Sequence, residues 1–143
     1  MREILFRGKQ MIAGKRVDNA EWVYGDVMFA RGEDGAVKSA YMRYIEMPEN
    51  ADKNGGDRIV GTMQLSQVEP ETVGQYTGVY ANGVKIFEGD IVHCTWYDDT
   101  TFNGVVVFED GKFLLESNGS YVDIDLYFKE VIGNIYDKGG EAE

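Results

Sequence analysis

The sequence predicts a mainly β protein built from small antiparallel, barrel-type sheets, and three features carry that prediction. The chain combines 18 glycines with 9 Tyr, 7 Phe and 2 Trp but holds only 2 prolines, the mixture that short strands and tight turns require. Its apolar residues fall in short or alternating runs bounded by Gly, Asn and Asp clusters. No segment sustains a 3.6-residue apolar period over three turns, which limits helix to one or two short turns. An α+β classification is the nearest alternative.

Taken in order, Glu3–Arg7 is a short apolar run ending at Gly8, and Gly14-Lys15-Arg16 is a turn. Trp22–Phe29, rich in aromatic and β-branched residues, reads as a strand closed by Gly32-Glu33-Asp34-Gly35. Val37–Ile45 fits a strand or a short helix, and the preceding hairpin chemistry favours strand. Pro48–Gly56 is the most polar, turn-prone stretch and should be an exposed loop. A strand resumes over Arg58–Leu65. Val68–Thr72 suggests one helical turn, with Ser66 as a cap and Pro70 near its start.

Thr72–Gly78 is a β-branched, glycine-bracketed segment, and Asn82-Gly83 signals a two-residue hairpin. Strands are expected from Ile86 to about Tyr97, over Gly104–Phe108 and Lys112–Glu116, over Val122–Leu126, and over Val131–Tyr136. This gives an N-terminal β unit (1–66), a connecting segment (67–84), a C-terminal unit (85–136) and a polar tail (137–143). A chain of 143 residues holds one domain or two small sub-barrels.

The net charge of −11 is unevenly spread. Residues 1–79 carry 12 acidic and 10 basic side chains, whereas residues 80–143 carry 13 and 4, with no Arg after Arg58. A negative field repels phosphate backbones, so nucleic acid is an unfavourable partner for the C-terminal half. Arg7, Lys9, Lys15 and Arg16 form either a small positive edge or a solvated hairpin rim. No apolar run approaches the ~18 residues that span a bilayer, and the first residues lack a signal peptide's apolar stretch. Cytoplasmic location is the default expectation. Cys94 is the sole cysteine, which precludes an intrachain disulfide.

Two phrases echo each other: Trp22-Val23-Tyr24-Gly25-Asp26-Val27, later followed by Ile59-Val60-Gly61-Thr62, and Ile86-Phe87-Glu88-Gly89-Asp90-Ile91, later followed by Val131-Ile132-Gly133-Asn134. A Gly-Asp turn leading into a first strand suits small SH3-like barrels, because Gly permits positive φ and Asp accepts from nearby amides. Either the chain contains two related half-barrels, about 20–65 and 85–136, or similar turn chemistry arose twice by chance.

Arg2–Lys9 with Trp22–Gly25, then Glu71–Gly78, Ile86–Val92 and Val131–Tyr136, resemble in order and wording the YopX family of small phage and prophage proteins. Thr72–Gly78 followed closely by Glu88-Gly89-Asp90-Ile91-Val92 is the most specific element. One departure is Val79–Gly83, less charged than the family's loop. The resemblance implies a β-rich phage or prophage accessory protein in the host cytoplasm. It carries no catalytic residues and no known activity.

Candidate binding residues are Gln75, Tyr76, Thr77 and Asp90. Gly74 and Gly78 would let a ligand approach the backbone while Gln75, Tyr76 and Thr77 supply polar contacts; alternatively the segment is a buried strand whose threonines satisfy local backbone. Asp26 and Asp90 would make an acid/base pair if the two units faced each other, although Gly-Asp turns more commonly serve structure. Asp98, Asp99, Asp123 and Asp125 offer hard-cation oxygens but match no known loop spacing. His93 and Cys94 are strand neighbours and so point to opposite faces. No nucleophile elbow, phosphate loop or zinc-helix motif occurs. Trp22, Tyr24, Trp96, Tyr97, Phe102 and Tyr121 are core or interface aromatics.

These readings favour a non-enzymatic accessory protein that uses no cofactor and acts by protein–protein contact, as a partner for a host or phage protein or as a homo-oligomer. The alternatives are a nucleic-acid-binding module using the basic half and, third, a metal-assisted hydrolase.

Overall fold

The computed structural model describes residues 2–46, 61–124 and 128–137. The chain divides into two compact units, Phe6–Val73 and Met1–Leu5 with Gly74–Glu143. The boundary lies inside the 67–84 segment: Val68 is in the core of the first unit and Ala81 in that of the second. The expected 48–56 loop and the residues after Asp137 lie outside the described residues, as does Asp125.

In the first unit, β1 (Phe6–Lys9), β2 (Trp22–Arg31), β3 (Val37–Glu46) and β4 (Thr62–Val68) form an antiparallel meander. Ala40, Met42 and Val68 are fully buried, with Phe6, Val23, Val27 and Val73 packed around them. β2 changes neighbours along its length. Trp22–Gly25 pairs with β1, and the pairing with β3 begins at Asp26. Gly25, at φ 158°, sits at that change. Pro70–Thr72 forms a single 3-10 turn flanked by Glu69; Ser66 is not its cap, because it lies within β4.

In the second unit, β5 (Gly74–Ala81) and β6 (Val84–Phe87) form a hairpin. A five-stranded antiparallel sheet is built from β7 (Asp90–Thr95), β8 (Thr101–Glu109), β9 (Lys112–Ser117), β10 (Ser120–Asp123) and β11 (Phe128–Asn134), in the order β10-β9-β8-β7-β11. The turns Asn82-Gly83, Asp110-Gly111 and Asn118-Gly119 have positive φ at both residues, the geometry that matches the strands' right-handed twist. Ala81, Ile86, Val92, Cys94, Val106, Leu115 and Ile124 form the core.

The mainly β, antiparallel class is what the sequence predicts, but neither unit closes into the expected barrel among the described residues. β11 returns beside β7, leaving β10 and β11 as the two edges of an open sheet. In the first unit, β1 and β4 meet at one bridge, Gln10↔Val68. Two backbone bonds flank it, Met11 N–H to Gln67 O and Glu69 N–H to Lys9 O, each 2.8 Å.

The Gly-Asp echo is not a repeat. Gly25-Asp26 lies in mid-strand, where pairing passes from β1 to β3. Gly89 lies in the reverse turn that joins β6 to β7, at φ 90°, and Asp90 opens β7. The same dipeptide serves two backbone problems.

Candidate functional site

The polar groups of Thr72 to Thr77 are spent on local structure. Thr72 Oγ1 accepts from Lys9 N–H at 2.8 Å and donates to Glu69 O at 2.7 Å. Gly74 is buried so tightly that a Cβ there would lie 2.7 Å from Glu88 O. Gln75 accepts from Glu88 N–H at 3.0 Å, and its own N–H donates to Glu88 Oε1 at 3.4 Å. Thr77 Oγ1 donates to Ile86 O and accepts from Val79 N–H. Gly78, at φ 89°, lies where the β5–β6 register shifts, the conformation of a β-bulge.

Tyr76 is buried against Phe87 and Tyr80, with the Lys85 ammonium 5.3 Å from its ring centre. Burial first, and then its hydrogen bond with Tyr80, push the Tyr76 phenol up to about 12. The neutral phenol is therefore favoured in the fold, while an unfolded tyrosine ionises near 10. Its contribution to stability is fully present below pH ~10 and is lost as pH rises through ~12. The wild-type melting temperature should fall more steeply than that of Tyr76→Phe across this window. Parallel curves, with no high-pH phenol lost from the absorbance titration at 295 nm, would contradict that placement.

Asp90 is 2 % exposed, and its Oδ2 accepts from Phe87 N–H at 2.8 Å across the β6–β7 turn. Asp26, by contrast, is exposed and ion-paired with Arg43 at 3.7 Å. The basic N-terminal group is largely engaged within its own unit. Arg7 and Lys9 are buried with their cations 4.2 Å and 4.8 Å from the Trp22 ring centre, and Lys9 Nζ also donates to Ala20 O. Arg16 pairs with Glu69 and Glu71.

On β7, alternation separates His93 from Cys94. Cys94 is fully buried in the core, and desolvation pushes its thiol up to about 11, which disfavours the nucleophilic thiolate. His93 Nδ1 meets Asn103 Oδ1 at 2.6 Å on the opposite face. Beside this pair, Thr101, Phe102, Asn103, Val105, Glu116, Ser117 and Asn118 line a shallow groove of about 320 Å3. Hydrogen bonds from the Thr100 hydroxyl and amide hold Asp98 below its ordinary carboxylate range. Among the described residues, no three His, Cys, Asp or Glu side chains converge as a metal site.

Among the described residues, the outer face of β2–β4 gathers several exposed apolar side chains. Cross-strand register sets Met28 beside Tyr41 and Gln67, Asp26 beside Arg43 and Leu65, and Ile45 beside Met63. Ile45, Met63 and Leu65 are 62 %, 65 % and 57 % exposed, and Tyr24 and Met28 are also exposed. β4 is inverted relative to ordinary strand patterning. Its polar Gln64 and Ser66 are half-buried on the side of Val68, while its apolar Met63 and Leu65 face out. The alternation Thr62-Met63-Gln64-Leu65-Ser66 was a visible signal, but by the usual rule it points Met63 and Leu65 inward. Only Val68 at the strand's end, packed against Ala40 and Met42, reveals the true side.

No helix among the described residues is long and apolar enough to cross a membrane. A family model described as YopX protein matches residues 17–140, most of the chain. No curated protein and no solved structure matches it.

Proposed function

The chain belongs to the YopX family, and from that premise we propose that it is a phage- or prophage-encoded accessory protein acting by protein–protein contact. The inverted β4 carries this reading. An apolar sheet face held in water forgoes roughly 25 cal/mol per Å² of burial, and contiguous exposed apolar surface marks contact sites. Met28, Ile45, Met63 and Leu65 surround a mutually neutralising Asp26–Arg43 pair, which gives an apolar centre with a satisfied polar element. Buried catalytic machinery is not needed for such a role. The contact acts in the host cytoplasm.

The test is quantitative capture of host proteins on the immobilised full chain, beside a Met28→Asp/Ile45→Asp double variant. Exposed strand substitutions cost about 1 kcal/mol or less each, so the variant should stay folded by circular dichroism. It should lose at least tenfold of any stoichiometric partner, whereas a Tyr121→Ser control on the other unit should retain it. Equal capture by wild type and the double variant would remove this face from the function.

A further inference from the structure

We infer that β4 is the dimerisation strand of this protein, pairing antiparallel with β4 of a second copy about a two-fold axis that sets Met63 opposite Leu65. The inference rests on the contact role proposed for the outer face and names its partner. β4 is an edge: among the described residues it pairs along its length with β3 alone. Among the described residues, its far side is stitched to the chain after β1 at its C-terminal end alone, where Gln67 O accepts from Met11 N–H. That bond shows that the Gln67 backbone points away from β3. In an antiparallel strand the orientation recurs every second residue, so the N–H and C=O groups of Leu65 and Met63 point outward too. A two-fold axis through Gln64 lets each Met63 exchange two hydrogen bonds with Leu65 of the other copy, four in all. Engagement of Gln67 with Met11 ends the register there.

The way the edges are protected singles out this strand. An unpaired strand edge templates association unless it is short, charged or bulged. β10 has four residues and carries Asp123, and β6 has four and carries Lys85. β11 carries Lys129 and Glu130, with a register shift between Val131 and Gly133. β4 has seven residues in unbroken register, with no charge, Pro or Gly.

The self-complementary register of β4 fits a second copy, and charge permits it. Two molecules of net charge −11 repel at long range, so they approach at least local cost on an uncharged patch, and Thr62–Val68 is one. A basic partner would find its complement among the 13 acidic residues of 80–143, not on β4. Pairing also brings Met63 and Leu65 of both copies into cross-strand contact, flanked by Ile45 of each.

The test is the mass of the full chain by light scattering over a concentration series, with two variants. Wild type should be dimeric. Leu65→Lys, a surface change of the kind that protects natural edges, should keep the wild-type circular dichroism and weaken dimerisation at least tenfold. Gln64→Cys should cross-link under mild oxidation, because Gln64 faces Gln64 at a narrow non-hydrogen-bonded position of about 4.5 Å, within disulfide reach. Ser66→Cys, which this register places opposite Thr62, should not cross-link; the native Cys94 is buried and silent. A monomer at every concentration, or a dimer indifferent to Leu65→Lys that does not cross-link through Gln64→Cys, overturns the inference. Host-protein capture that still depends on Met28 and Ile45 would then leave the broader contact role standing.

Discussion

Gly25→Ala should destabilise the Phe6–Val73 unit by about 3–5 kcal/mol, from backbone strain plus overpacking. A Cβ at position 25 would lie 2.3 Å from the Arg43 backbone oxygen and 3.2 Å from Tyr44 Cβ. The oxygen belongs to the paired strand and cannot swing aside as the end of a flexible side chain can. The φ of 158° adds to the cost, because L-residues rarely adopt it. Relief would require β2 and β3 to part at this position, loosening Val23 and Val27 from the core. Gly35→Ala is the matched control. Its φ is 81°, but a Cβ there meets nothing within 4 Å, so about 1–2 kcal/mol of conformational cost is expected. Urea denaturation of both variants measures the difference. A Gly25→Ala loss no larger than that of Gly35→Ala would disprove the close approach of the Arg43 backbone to position 25.

The second large effect belongs to Asp90→Ala, at about 2–3 kcal/mol. Removing the carboxylate strands the Phe87 N–H inside the protein, and an unsatisfied buried donor costs about 1–3 kcal/mol. The turn is also tied on two sides. Gly89 N–H donates to Val106 O at 2.9 Å, and Gly89 O accepts from Ile135 N–H at 3.0 Å. Loss of the side-chain bond therefore loosens β8 and the segment after β11 together. Asp90→Asn keeps an acceptor oxygen and should cost clearly less. Equal losses for the two variants would mean that charge, not the hydrogen bond, holds the turn.

Much of the fold was legible because local chemistry decides it. Asn82-Gly83, Asp110-Gly111 and Asn118-Gly119 place their turns through φ preference alone, and the strands between follow. Barrel closure was not legible, since it depends on strand curvature and on whether distant edges meet. Gln10 reaches Val68, yet β10 and β11 end as separate edges. The basic cluster misled for a related reason. A linear reading puts Arg7 and Lys9 on a rim, but β1–β2 register lays both against Trp22. The echo misled because a dipeptide encodes backbone permissiveness, not position in a sheet.

By itself, then, the sequence determined the β class, the turns, the lopsided charge and the family phrases, all of which rest on nearest-neighbour chemistry or composition. Only the tertiary structure decided which side of each strand is inside. For β4 that choice turns on Val68 meeting Ala40 and Met42. Because side chains alternate with period two, one anchored residue sets every other, and Met63 and Leu65 are left facing out.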